Sequence, residues 1–210
     1  GFSFSIGDIE IENGIIKSIT EAETINNYSG EIVDMDNKTV LPGFIDLHVH
    51  IGLSAGIVLE DNTKSIATQT LDAMKYAQDT LKAGFTTIRD AGASNEVVIA
   101  LRDSINSGKI VGPDIIASGK VLTPIEIGDD YFKDLYSEFS GGEDAARYAR
   151  EEFKKGADFI KVMGSGAFMN PGGEPGCMIA FDEELKAIER VASLKNSYVA
   201  VHAHGPSEHE

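Results

Sequence analysis

Tryptophan is absent from this 210-residue chain, and cysteine occurs once, at Cys177. A single thiol excludes any intrachain disulfide, and a reducing, cytoplasmic compartment is the expectation that follows. No apolar run approaches the length of a membrane span, and no charged-then-apolar leader is read at the first residues, so no membrane partner is expected. The chain opens on Gly1 in place of methionine, as a processed terminus or a longer parent sequence would give. Basic residues are also scarce. Lys and Arg number 18 against 34 Asp and Glu, a net charge of -16. Such a surface disfavours nucleic acid as a partner. It weakly favours cationic substrates, although an acidic, solvated surface needs no substrate to explain it.

What is present is enough apolar material, 42% of residues, for one sizeable core, and five histidines with an uneven distribution. Four fall in two pairs, His48-Val49-His50 and His202-Ala203-His204. Residues two apart on a strand share a face, so each pair would point together. Each also ends an apolar run, the position where a parallel barrel strand delivers side chains to its functional rim. Two imidazoles fixed side by side are half a metal site. A pair of hydrogen-bonded core histidines is the structural alternative.

Residues 1–41 read as a small β domain. Ile9 and Ile11 alternate with acids, Asn13-Gly14 is a two-residue hairpin signal, residues 15–19 form the return, and a further strand is expected over 31–36. From Gly43 the rhythm becomes strand, then helix. Helices are expected over 63–83 (Ile66, Thr70, Met74, Ala77 and Leu81 inward), 95–107, 143–155, and after a cap at Asp182. Strands are expected over 44–49, 86–89, 114–117, 158–163 and 198–202, with long functional or mobile loops at 118–142 and 164–180. Five strands alternating with four helices indicate a parallel α/β sheet over 42–210. A closed (β/α)8 TIM-type barrel needs eight strands and about 250 residues, and a doubly wound open sheet is the alternative.

Lys161 lies inside the apolar strand Phe159-Ile160-Lys161-Val162-Met163. Burying an unpaired ammonium is costly, so either a carboxylate such as Asp158 neutralises it or the amine has a function. Desolvation and nearby cations lower a lysine pKa, freeing the amine to add carbon dioxide and become a bridging carbamate. The glycine-rich turns Gly164-Ser165-Gly166 and 170–176 follow that strand, and their amides could hold a substrate carboxylate or simply serve the turns. Arg89 and Asp90 are expected to form a structural ion pair.

These residues carry a resemblance. Pro42-Gly43-Phe44-Ile45-Asp46-Leu47-His48-Val49-His50, Gly84-Phe85-Thr86-Thr87-Ile88-Arg89-Asp90, Gly156-Ala157-Asp158-Phe159-Ile160-Lys161 and Val199-Ala200-Val201-His202-Ala203-His204-Gly205 together resemble the amidohydrolase superfamily. Their order and spacing, with Asn170-Pro171-Gly172-Gly173-Glu174-Pro175-Gly176, are similar to its prolidase-like, imidazolonepropionase-related branch of metal-dependent dipeptidases and carboxypeptidases. The resemblance implies a metal-capped (β/α)8 barrel and a β-sandwich to which residues 1–41 contribute. It implies that His48 and His50 bind the more buried ion, that carboxylated Lys161 bridges two ions, and that His202 binds the second. Zinc is the implied metal, and a metal-bound hydroxide would attack the amide carbonyl of a dipeptide or N-acyl amino acid. His204, Gly164 and Ser165 are the implied substrate contacts.

The pattern is incomplete. The superfamily also places a histidine after strand six and an aspartate, which is both ligand and base, after strand eight. No catalytic base is identified among residues 1–210, and neither His209 nor Glu210 matches the expected continuation. The loop after strand three, Thr123-Pro124-Ile125-Glu126-Ile127-Gly128-Asp129-Asp130, also departs from the histidine-containing segment of relatives. Half a parallel barrel would present an open strand edge and bare apolar surface, so a parent chain of roughly double length, or a homo-oligomer, is expected. A mononuclear relative that opens a cyclic amide or deaminates a ring, and an inactive metal-binding fragment, are the rival functions.

Overall fold

The computed structural model describes residues 6–21, 30–36, 38–53, 64–171 and 174–204. The chain divides into two compact units, Gly1–Leu41 and Pro42–Glu210. In the first, β1 (Gly7–Glu12) and β2 (Ile15–Glu21) form an antiparallel hairpin. Asn13 and Gly14 both take positive φ, 53° and 76°, the geometry whose twist matches the flanking strands. The strand expected over 31–36 does not form. Ile32 and Val33 are exposed, and the segment instead turns, with the Asp36 amide donating to Asp34 Oδ1 at 2.8 Å and the Lys38 amide to the Met35 carbonyl at 2.9 Å.

The second unit alternates as the sequence indicates. Its elements are β3 (Phe44–Val49), α1 (Ile66–Lys82), β4 (Phe85–Asp90), α2 (Val97–Asn106), β5 (Asp114–Ala117), β6 (Val121–Pro124), a 3-10 turn (Asp129–Phe132), β7 (Tyr136–Phe139), α3 (Gly142–Lys155), β8 (Ile160–Met163), α4 (Asp182–Ser193) and β9 (Val199–His202). All strand pairings are parallel, in the orders β3-β4-β5 and β7-β6-β8-β9. The segment 118–142, expected as a loop, therefore contains two strands. A three-residue break with Gly119 at φ +72° separates β5 from β6. Across it, the Asp158 amide donates to the Ala117 carbonyl and Asp158 Oδ2 accepts from the Ala117 amide, both at 2.8 Å, joining the two sheets at a seam, while the Ser118 amide extends the β4–β5 pairing by donating to the Asp90 carbonyl at 3.2 Å. Along this seam the parallel strands run β3, β4, β5 and β6, β8, β9.

Helix boundaries follow local chemistry. Ser65 caps α1 by accepting from the Thr68 amide, and Gly156 ends α3 in the left-handed conformation. The buried stripe of α1 is Gln69, Ala73 and Ala77, while Ile66 is exposed; two alanines let the helix lie close to α2 and β4. Asp182 does not cap α4. Glu184 does so, accepting from the Phe181 amide through Oε2 and from the Gly141 amide through Oε1, both at 2.8 Å. One core lies between β3–β5 and α1–α2, around Ile88, Val98 and Leu101. A second lies between β6 and β8 and helices α3 and α4, around Leu122, Phe139, Ile160 and Ile188. Among the described residues β3 pairs only with β4, and β9 only with β8, so both are edges. Ile45, Leu47 and Val201 accordingly remain exposed.

Candidate metal centre

Both histidine pairs stand at the carboxyl ends of strands. The His48 and His50 rings meet edge to face with centroids 5.3 Å apart at the end of β3, and those of His202 and His204 do so at 4.5 Å at the end of β9. Pairing of β3 with β4 slips between Asp46 and Val49, and Asp46 Oδ1 takes the His48 amide at 3.0 Å. His50 donates Nδ1–H to the Gly92 carbonyl at 2.8 Å, which fixes the tautomer and leaves Nε2 free as a ligand. Asp90 holds both sides of this bond. Its Oδ2 accepts from the Ile51 amide at 2.8 Å, and its Oδ1 from the Gly92 amide at 3.1 Å.

Lys161 sits in β8, paired at the level of Ala200 and Val121, and is 4% exposed. Asp158 does not neutralise it, because its Oδ2 is taken by Arg102 Nη1 at 2.6 Å and by the Ala117 amide at 2.8 Å. Among the described residues no acceptor engages the Lys161 amine. Burial lowers its pKa, and the Arg89 charge lowers it further. Burial, Lys161, His204, His48 and His50 together hold His202 down to about 4. His50 is lowered by burial against the opposing pull of the Gly92 carbonyl, and His48 by burial and the charges of Lys161 and Arg89. Each histidine therefore feels Lys161, and all three are neutral, ligand-competent imidazoles near pH 7.

The residues fit a divalent cation. His202 Nε2 is buried without a hydrogen-bond partner, an orphaned lone pair or N–H that a ligand bond would satisfy. The amine of the buried residue Lys161 has no acceptor among the described residues, and His50 is oriented through its other nitrogen. Among the described residues no three His, Cys, Asp or Glu side chains are placed to hold a metal by themselves. The expected donor set thus depends on Lys161 as well as on the histidines.

Two expectations are corrected. The Gly164 and Ser165 amides both donate to the His202 carbonyl, at 3.0 and 3.1 Å, so they form no anion cradle. This turn instead grips β9, and Ser165 Oγ accepts from the His204 amide at 3.0 Å. Gly172, Gly173, Gly205, His209 and Glu210 lie outside the described residues. Arg89 and Asp90 form no ion pair, because neighbours on a strand face opposite sides. Asp90 points to the buried loop, whereas Arg89 Nε donates to the Leu47 carbonyl at 2.7 Å. Strand alternation alone carried enough signal to separate them. His204 is exposed at the rim.

The model of the amidohydrolase family matches residues 39–210. Ochratoxinase of Aspergillus niger is 30% identical over 193 residues, 79% of this chain and 39% of that protein. A prolidase solved with N-methylphosphonate-L-proline superposes with a TM-score of 0.82 at 28% identity, over 94% of this chain and 51% of its own. A Xaa-Pro dipeptidase with bound methionine gives a TM-score of 0.73 at 32% identity, over 94% and 52%. The chain thus spans about half the length of these relatives or less. The strand–helix succession is part of a (β/α)8 barrel of the kind these neighbours share, not a doubly wound sheet. With a matched model over most of its length, this chain belongs to the amidohydrolase family.

Proposed function

We propose that this chain carries the metal-binding part of an enzyme that hydrolyses a C–N amide bond in a dipeptide or N-acyl amino acid. The observation that carries the reading is Lys161, buried without an acceptor beside three neutral histidines at the carboxyl rim of the strands. His48 and His50 would hold one ion, His202 a second, and carboxylated Lys161 both. Zinc suits this nitrogen and oxygen set. When bound, such ions lower the pKa of water to near neutrality and polarise the scissile carbonyl. The chain's own residues prepare for this. The Lys161 nitrogen lone pair adds to the carbon of carbon dioxide, one N–H proton leaves to solvent, and a carbamate anion remains. Gly92 and Asp90 hold His50 in the tautomer that leaves Nε2 free, and the exposed His204 ring would meet substrate. Among the described residues no side chain is assigned as general base. Similarity to a prolidase and a Xaa-Pro dipeptidase supports the substrate class.

No helix among the described residues is long and apolar enough to cross a membrane. A cytoplasmic location and self-association through the open edges belong to the same proposal, as does residues 1–41 as part of a β-sandwich. Elemental analysis after incubation with zinc and carbon-13 bicarbonate tests the central claim. About two ions per chain and a carbamate resonance are expected. About one ion without the resonance would favour a mononuclear cyclic-amide hydrolase or deaminase. Absence of bound metal after reconstitution would overturn the reading.

A further inference from the structure

Arg89 lies outside the donor set, yet it contacts β3 and the residues that lead into β8 and β9. From β4, its Nε donates to the carbonyl of Leu47, the residue immediately before His48 in β3. Its guanidinium carbon lies 5.5 Å from the ring centroid of Phe159 and 5.8 Å from that of Tyr198. Those two rings stack on each other, 5.1 Å apart and 9° from parallel. Phe159 enters β8 two residues ahead of Lys161, on the same face. Tyr198 enters β9 four residues ahead of His202, again on the same face. Because the strands are parallel, all three contacts lie on the amino-terminal side of the donors, one to four residues before them.

We propose that Arg89 is a positioning residue: one guanidinium fastens β3, β8 and β9 to β4 beneath the donors and fixes the spacing of His48, Lys161 and His202. The inference rests on the metal-centre reading above. Among the described residues no carboxylate pairs with Arg89, so a carbonyl and two aromatic faces are what hold this cation. Arginine suits the task better than lysine. Its planar fork donates in its own plane while its face lies against rings, whereas an ammonium presents a point charge and no plane. The device also bridges the seam, since Leu47 belongs to one sheet and Phe159 and Tyr198 flank the other.

Cobalt(II) titration of the full 210-residue chain tests this, using visible absorption and chelator competition, with thermal unfolding of metal-free protein alongside. Arg89→Met is expected to weaken cobalt binding about tenfold to hundredfold and to change the shape of the visible band. Arg89→Lys is expected to recover part of the affinity. His48→Ala serves as reference for the centre itself. If His48→Ala weakens cobalt binding while Arg89→Met keeps the wild-type affinity and spectrum, the positioning role is wrong and the centre stands. If His48→Ala leaves cobalt binding unchanged, the centre and the positioning role fall together. Should Arg89→Met lower the metal-free unfolding midpoint, Tyr198→Leu carries the test, since it removes one ring from an edge strand. A severalfold weaker cobalt affinity is expected there, and an unchanged one overturns the role.

Discussion

His50 donates its Nδ1–H to the carbonyl oxygen of Gly92 at 2.8 Å, and Gly92 can offer that oxygen only because it has no side chain. Its φ is 144°, and a Cβ there would stand 2.4 Å from Val121 Cγ2. Gly92→Ala is therefore expected to cost about 1–3 kcal/mol of stability through overpacking and strain. It should also tilt the carbonyl from His50 and weaken metal binding about tenfold or more. Urea unfolding and chelator competition measure the two effects separately. Intact metal affinity in a destabilised variant would show that Gly92 serves packing alone.

Asp90 and His202 push stability in opposite directions with pH. Burial raises Asp90 to about 7, so the folded state retains a proton that the unfolded chain releases above its ordinary pKa of 3.8. Its contribution is greatest at low pH and is lost as pH rises toward 7. His202 is lowered to about 4 from 6.5, so the unfolded chain binds the extra proton, and its contribution is lost as pH falls through that window. The two slopes offset each other in the wild type. Relative to wild type, Asp90→Asn should make the stability slope from pH 4 to 6.5 more positive, and His202→Gln should make it more negative. Denaturation midpoints across this range, in metal-free protein, decide the matter, and parallel profiles for the two variants would contradict it.

Lys161 is expected to oppose stability in the metal-free chain. The residue is buried with no acceptor for its amine among the described residues, and Arg89 adds a like charge nearby. Lys161→Met keeps the aliphatic length and removes the amine, so it should stabilise metal-free protein by about 1 kcal/mol while abolishing any bicarbonate-dependent metal binding. Calorimetry and metal titration with and without bicarbonate check both halves. A variant less stable than wild type would mean that the amine is satisfied in solution.

The strand–helix rhythm was legible because periodicity and glycine stops are local. Gly84, Gly108 and Gly156 stand where α1, α2 and α3 end, and the His-x-His spacing placed both pairs at strand ends. Lys161 stood out as a charge in an apolar strand. What stayed hidden depends on partners distant in sequence. Val121–Pro124 and Tyr136–Phe139 are too short to announce themselves as strands, and they form by parallel pairing with each other and with β8. The segment 31–36 reads as a strand by alternation, yet with no partner among the described residues it turns. Arg89 looked like half of an ion pair because its sequence neighbour is acidic. Its real partners are 42, 70 and 109 residues away, at Leu47, Phe159 and Tyr198.

Asn170 joins two rim loops that sequence leaves unrelated. Its Nδ2 donates to Asp129 Oδ1 at 3.1 Å, and its Oδ1 accepts from the Tyr136 hydroxyl at 3.2 Å. Asp129 in turn accepts from the Glu126 amide at 2.9 Å, closing the turn that follows β6. Burial, with Glu138 and Glu126 nearby, raises Asp129 to about 6 in spite of that amide and Asn170. Asn170→Ala would leave the buried Asp129 carboxyl and the Tyr136 hydroxyl without this partner, at an expected cost of about 2–4 kcal/mol. The loss should be local first, because the two loops meet through this side chain and through the close approach of Gly128 to Pro171. Hydrogen exchange at the Asp129 and Tyr131 amides is therefore expected to accelerate well before that of β8. Exchange rising equally in β8 would show that the network supports the strand core, and that the rim loops are not an independent unit.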